Sequence, residues 1–252
     1  VTVDKEMQTM QIAGPGAFQF SATRPDDLQE DEYTLAVIVD DVSPSTEGHR
    51  DGQCECNKNI VGACKKHPKS EKLILRRVIF GSRIEESHGF KELIDVDPDE
   101  YKPEPTIGGS TCLFDATYDG VSAILDYAKL LDDTQDITCN GIVFVITDGM
   151  NNTGTFMDPH PVRDRIRKAR KMEELESIKV ILIGLYDPND PYKDAVRRHL
   201  SEFEVEGELD QYVDVGDATP ENLAKLGDFI SESISSQSQA LGGGQPSQNL
   251  TF

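Results

Sequence analysis

Nowhere do the 252 residues reach the roughly 18 consecutive apolar positions that a helix needs to cross a bilayer. The longest apolar runs, Leu35–Val39 and Ile142–Ile146, have the length of strands. Basic residues are scarce: 25 Lys and Arg stand against 46 Asp and Glu, a formal charge of −21. That balance argues against nucleic acid and anionic membranes as partners, because both would be repelled, and makes cations the natural complement. The N-terminal "VTVDKEMQTMQ" lacks the basic start and apolar core of a secretory signal, though a removed leader stays open because the sequence starts at Val1. Five cysteines, an odd number in so large a chain, do not form the pattern of a disulfide framework. The expectation is a cytoplasmic protein.

What is present is alternation. "TLAVIVD" (34–40), "KLILRRVIF" (72–80), "GIVFVIT" (141–147), "KVILIGLY" (179–186) and "YVDVGD" (212–217) read as strands, and their unbroken Val and Ile content suits strands buried on both faces of a parallel sheet. Between them the apolar spacing turns helical. Leu113, Ala116, Val121, Ile124, Leu125, Ala128 and Leu131 form one stripe within residues 112–131; Val162, Ile166, Ala169, Met172 and Leu175 form another within 161–177. Leu223, Leu226, Phe229, Ile230 and Ile234 form a third within 222–235, with Thr219 or Pro220 at its start. Strand and helix in repeated alternation imply right-handed crossovers and an α/β, doubly wound sheet. "ESHGFKEL" (86–93) follows the second strand too closely for a helical crossover, so it is expected to be a short antiparallel edge strand.

Three regions follow from this reading. Residues 1–32 are an irregular or edge-strand extension broken at "GPG" (14–16), residues 33–235 the α/β domain, and residues 236–252 a Ser-, Gln- and Gly-rich tail. The tail "SSQSQALGGGQPSQNLTF" carries no charge and has the composition of a flexible end. Its apolar tip, Leu250 and Phe252, instead suggests docking on the domain itself or on a neighbouring subunit, which would make a homo-oligomer.

In doubly wound sheets, ligands bind at the carboxyl ends of strands where strand order reverses. Three segments end in oxygen chemistry at such positions. "DDVSPS" places Asp41, Ser43 and Ser45 past the first long strand; "GGSTCLFDA" places Thr111 in a Gly-rich loop before a helix; "VITDGMNN" places Asp148 after the strand 141–147. Two carboxylates and three hydroxyls are hard oxygen ligands, suited to Mg2+, which takes about six oxygens at roughly 2.0–2.1 Å.

Asp41-x-Ser43-x-Ser45, Thr111 in "GGSTCLFDA" and Asp148 in "VITDG" together resemble the metal-ion-dependent adhesion site of von Willebrand factor A-type domains, over roughly residues 33–235. The resemblance implies a mostly parallel six-stranded sheet in order 3-2-1-4-5-6, with one antiparallel edge strand and helices on both faces. It implies that Asp41, Ser43 and Ser45 contact Mg2+ (or Mn2+) directly or through water, that Thr111 coordinates when a partner is bound, and that Asp148 acts through water. The function implied is a protein-binding module or assembly subunit that captures a partner's carboxylate. A looser similarity to bacterial and phage cytosolic members of that family implies an AAA+ ATPase or a kinase/phosphatase module as partner. Pro44 stands where the family has glycine, and "TEGHRDGQCECN" (46–57) lengthens the stretch before the first helix beside the site.

Other readings compete. Asp40 and Asp41 could serve phosphoryl transfer, as an Mg-dependent enzyme or phospho-acceptor, but Asp40-Asp41-Val42-Ser43 lacks the D-x-D spacing of a phosphatase nucleophile. Asp40 is expected to point away from Asp41 and find a local donor. A self-assembling structural subunit is the third reading. Cys54, Cys56, Cys64 and His67 form a CxC…CxxH arrangement open to zinc; its spacing matches no common finger, and packed thiols are preferred, as they are for Cys112 and Cys139. His88, His160 and His199 have no nucleophile arrangement around them, and "RDRIRKARK" (163–171) reads as a solvated helix face.

Overall fold

The computed structural model describes residues 7–12, 18–186 and 190–252. Eight strands and five helices run in the order β1 (Met7–Gln11), β2 (Gln19–Thr23), β3 (Glu32–Asp41), α1 (Arg50–Cys64), β4 (Leu73–Phe80), β5 (Ile84–Glu92), α2 (Leu113–Gln135), β6 (Thr138–Thr147), α3 (His160–Ala169), β7 (Ile178–Tyr186), α4 (Lys193–Gly207), β8 (Gln211–Asp217) and α5 (Pro220–Gln239). The strands form one sheet in the order β1-β2-β5-β4-β3-β6-β7-β8. β4, β3, β6, β7 and β8 are mutually parallel and β5 is antiparallel to β4. Counted from β3, the order β5-β4-β3-β6-β7-β8 is the 3-2-1-4-5-6 arrangement that the resemblance implies.

Alternation along β3 shows why its apolar run is unbroken. Leu35, Val37 and Val39 join the cluster beneath α2, whereas Ala36 and Ile38 join the one beneath α1 and α5. Side chains of a strand alternate faces, so a central strand covered on both sides must be apolar at every position. The same period of two separates Asp40 from Asp41. It also sends Arg76 toward α2, where Asp119 accepts from its guanidinium at 2.6 Å, and Arg77 to the other face, where Asp40 accepts at 2.9 Å.

Several expectations are corrected. The sheet has eight strands, and β5 is not an edge: β2 lies parallel to it with Ala22 opposite Phe90, and β1 pairs outside β2. Residues 1–32 are therefore part of the domain over their described stretch. Phe20 and Ala22 are buried, and Glu86 of β5 accepts from the Ser21 backbone N–H at 3.0 Å and from its hydroxyl. The expected break at 14–16 lies outside the described residues. α3 ends at Ala169, so Met172 and Leu175 pack from the following turns, where Glu176 N donates to Cys139 O at 2.8 Å. α4, not anticipated, buries Val196, Leu200, Phe203 and Gly207 at helical spacing. No long loop precedes α1, because residues 44–49 wind into a short 3-10 helix that leads directly into it.

The tail is not a separate region. α5 runs to Gln239 from a start capped by Thr219, whose hydroxyl accepts from Asn222 N at 3.2 Å. Residues beyond it return along the amino ends of β7 and β8, opposite the strand ends that carry Asp41 and Asp148. The buried Lys179 ammonium donates to Ser247 Oγ and Gln248 O, each at 2.9 Å. Gln211 Nε2 donates to Leu250 O at 2.9 Å, Ser247 N to Gln237 Oε1 at 2.9 Å, and the Phe252 ring stands edge-on to Phe229 at 5.9 Å. The tail lies on its own domain, held by side chains rather than by strand addition.

Candidate metal centre

β3 and β6 are neighbours, so their carboxyl ends deliver Asp41 and Asp148 to the same place. Asp41 is the last residue of β3 and fully buried; Asp148 follows β6 and is 6% exposed. Between them the hydroxyls form a chain. Ser43 Oγ and Ser45 Oγ are 3.1 Å apart, and Ser45 Oγ donates to Asp148 Oδ1 at 2.7 Å. Ser43 N closes a turn onto Asp41 Oδ1 at 2.8 Å, and Thr147 Oγ1 donates to Asp41 Oδ2 at 2.6 Å. Ser43 is buried and Ser45 exposed.

Thr111 reaches the same point from the other crossover. Gly108 sits at φ +68 against Ser82, a left-handed conformation in which a side chain would also collide with the Ser82 hydroxyl. Cys112 N then donates to Gly81 O at 2.8 Å, pinning the loop over β4. A Cβ placed on Gly149 would lie 3.3 Å from Thr111 Oγ1 and 3.5 Å from Asp41 Oδ2. Glycine there leaves a small oxygen-lined cradle. All five expected residues, Asp41, Ser43, Ser45, Thr111 and Asp148, are thus brought together.

The electrostatics suit a cation. Burial raises the Asp41 carboxyl above its usual range despite hydrogen bonds from Thr147 and Ser43. Burial first, and Asp41 second, push Asp148 up to about 7. Among the described residues neither carboxylate has a Lys, Arg or His ion-pair partner. Two desolvated acids facing hydroxyls, with no basic side chain between them, form an all-oxygen donor set fitting a hard divalent cation. The described residues contain no group of three or more His, Cys, Asp or Glu side chains placed to share an ion; this centre has two acids and relies on hydroxyls.

Sequence reasoning missed the supports. Arg50, 8% exposed, donates from Nη2 to Ser43 O at 2.8 Å, from Nε to Thr46 Oγ1 at 2.7 Å and from Nη1 to Glu104 O at 2.6 Å. It clamps the serine loop from behind through backbone and hydroxyl oxygens. Asn152 Oδ1 accepts from Thr111 N at 2.7 Å and Asn151 Oδ1 from Phe114 N at 3.1 Å. Asp115 accepts from Thr155 N and Phe156 N at 2.7 and 2.8 Å. The pair of asparagines after "VITDGM" was the one local signal, since such side chains bind backbone groups in turns.

Asp40 does not join the centre. Its Oδ2 accepts from Asn57 Nδ2 at 2.7 Å and from Arg77 Nε at 2.9 Å on the opposite face of the sheet. The thiols open to zinc do not converge either. Cys54 and Cys56 lie two residues apart on α1, too far around the helix to converge. All three thiols of α1 are buried, and burial pushes Cys64 up to about 12, far from the thiolate that zinc requires.

No family model matches the sequence, and no curated protein does. Solved structures share the fold at low identity. The pilus adhesin SpaC from Lactobacillus rhamnosus GG is 12% identical over 92% of this chain and 34% of its own, with a TM-score of 0.59. The PilB minor pilin from Streptococcus sanguinis is 14% identical over 84% of this chain and 64% of its own, with a TM-score of 0.54. This chain thus spans less than two thirds of either protein. Proximal thread matrix protein 1 from the mussel byssus, in a structure with a zinc-occupied MIDAS motif, gives a TM-score of only 0.48 at 16% identity over 81% of this chain and 46% of its own.

Proposed function

We propose that this chain is a metal-dependent protein-binding module, acting by binding rather than by turnover. One observation carries the reading: two buried carboxylates, Asp41 and Asp148, converge with three hydroxyls at adjacent parallel strand ends and make no direct ion pair with a basic side chain among the described residues. Asp41, Ser43, Ser45, Thr111 and Asp148 would hold Mg2+ or Mn2+, in keeping with the resemblance to metal-ion-dependent adhesion sites. The bound ion would supply an electrophilic position for a carboxylate brought by a partner protein. Ser43 and Ser45 contribute neutral oxygens, which leave charge on the ion uncompensated. Arg50 and Thr147 keep the ligands oriented. The phosphoryl-transfer reading loses support, because Asp40 and Asp41 stand on opposite faces of β3 and Asp40 is neutralised by Arg77.

The test is calorimetric titration of Mg2+ and Mn2+ into wild type and Asp41→Ala. One site in the wild type, absent in the variant at unchanged circular dichroism, is the expected outcome. Equal binding by both proteins would refute the assignment. Thr111→Ala should weaken capture of a carboxylate partner more than it weakens uptake of the ion.

A further inference from the structure

Between Asp148 and Phe156 the chain makes a loop that supplies one candidate ligand and, through Asn152, orients another. α4 reaches this loop through an imidazole: His199 Nε2 lies 3.2 Å from the backbone nitrogen of Asn151. A backbone N–H can only donate, so Nε2 must accept, which requires the neutral ring with its proton on Nδ1. The ring is fixed from one side by Phe114 of α2, stacked at 5.9 Å and 27°. Phe114 is in turn packed against Phe203 of α4 at 4.8 Å, and its backbone N–H is held by Asn151 Oδ1. The side chains of Asn151 and His199 thus bracket the first turn of α2.

We infer that His199 is a positioning residue for the proposed centre, a proton-sensitive clamp whose neutral imidazole holds the 148–156 loop against α2. Its functional consequence rests on the metal reading above. Protonation would turn Nε2 into a donor facing a donor, and the Asn151 N–H would lose its partner. Loosening there reaches the centre by two short routes. Asp148 lies three residues upstream in the same loop, and Asn152 carries the hydrogen bond to Thr111 N.

The groups facing His199 define its balance. Glu202 and Glu206, both on α4, favour the proton, while burial opposes it and dominates, lowering the titration below the ordinary histidine range. α2 presents the Phe114 ring, and its Asp115 is engaged by Thr155 N and Phe156 N. α3 directs Arg163 to Asp164 and Arg167 to Glu208. In the loop itself, Asp148 accepts from Ser45.

Two variants separate the acceptor from the ring. His199→Gln keeps an acceptor without a titration; His199→Phe keeps the aromatic stack without an acceptor. The Asn151 amide resonance, followed from pH 8 to pH 5 in the metal-free protein, should titrate with the His199 ring in wild type. It should be flat in His199→Gln apart from any Asp148 transition common to both, and be displaced at every pH in His199→Phe. Mn2+ affinity should be equal in wild type and His199→Gln at pH 8 and about five- to tenfold weaker in His199→Phe, the worth of one lost hydrogen bond. Acidification should favour His199→Gln over wild type by a similar factor. An Asn151 resonance indifferent to both substitutions would overturn the inference. A resonance that follows His199 in a protein that takes up no Mn2+ would support the clamp and overturn the metal reading.

Discussion

Replacing Asp148 by asparagine should make the metal-free protein more stable and at the same time abolish stabilisation by metal. The carboxyl titrates near 7 in the folded chain, against an ordinary value of 3.8, chiefly through burial and then through Asp41. Between those two values the folded state binds a proton that the unfolded state has released, so stability falls as pH rises. The contribution of the neutral form is complete below the unfolded value and lost as pH passes through 7. The whole difference amounts to about 4 kcal/mol. Asparagine is neutral throughout and keeps an acceptor for Ser45, although its amide must find a partner of its own. In chelator at pH 8 the variant should therefore exceed wild type by roughly 2–3 kcal/mol, and the gap should close toward pH 4. Saturating Mg2+ reverses the order: at a hundredfold excess over Kd the wild type gains about 2.7 kcal/mol, while the variant gains little. Urea unfolding followed by circular dichroism, with chelator and with Mg2+, measures all four states. If Asp148→Asn is no more stable than wild type in chelator at pH 8, the carboxylates are not strained by one another and by burial, and the reasoning fails. Equal stabilisation of both proteins by Mg2+ would refute it from the other side.

Arg50→Met should cost about 2–4 kcal/mol in urea unfolding, because the hydrogen bonds from a charged donor to Ser43 O, Thr46 Oγ1, Glu104 O and Thr106 Oγ1 are lost. Arg50→Lys should not restore it, since one ammonium cannot span Ser43 O and Glu104 O; recovery by lysine would count against the clamp. Arg76→Met strands Asp119, which faces the guanidinium at 2.6 Å, and leaves Glu86, at 2.7 Å, with Ser21 as its donor; it should destabilise by roughly 3–5 kcal/mol near neutral pH. That loss should shrink on acidification, because the stranded Asp119 takes up a proton in the folded state; a loss independent of pH contradicts the buried network. His88 donates to Gly89 O and accepts from Tyr101 Oη, and burial lowers its titration to about 4. Its neutral form contributes stability above the unfolded histidine value that is lost as pH falls from 6.5 toward 4, roughly 3 kcal/mol in all, and His88→Gln should flatten that slope in urea unfolding. Leu250→Ala with Phe252→Ala should lower stability by about 1–2 kcal/mol and raise hydrogen exchange at residues 245–252, whereas unchanged exchange would show that the tail's contacts contribute nothing.

The central sheet and the centre were legible in the sequence for a local reason. A strand buried on both faces must be apolar at each position, so β3, β6 and β7 announce themselves, and a polar cluster at the end of such a run can only mark the strand's mouth. Parallel crossovers then bring the mouths of β3 and β6 together, as the resemblance of the three segments to a metal-ion-dependent adhesion site implies for Asp41 and Asp148, 107 positions apart in the numbering. The supports were not legible, because each depends on a partner that no local pattern names. Ser21 finds Glu86 at a separation of 65 residues, Asn151 finds His199 at 48, and Lys179 finds Ser247 at 68. β2 carries too few β-branched residues to read as a strand, and it becomes one only against β5. Arg50 resembles any helix-terminal arginine until the serine loop folds over it. Side-chain chemistry and period therefore settled which residues meet at the strand ends. Tertiary packing alone decided what holds them there, since a hydrogen bond in a dry interior is specified by two distant residues and by the water that their packing excludes.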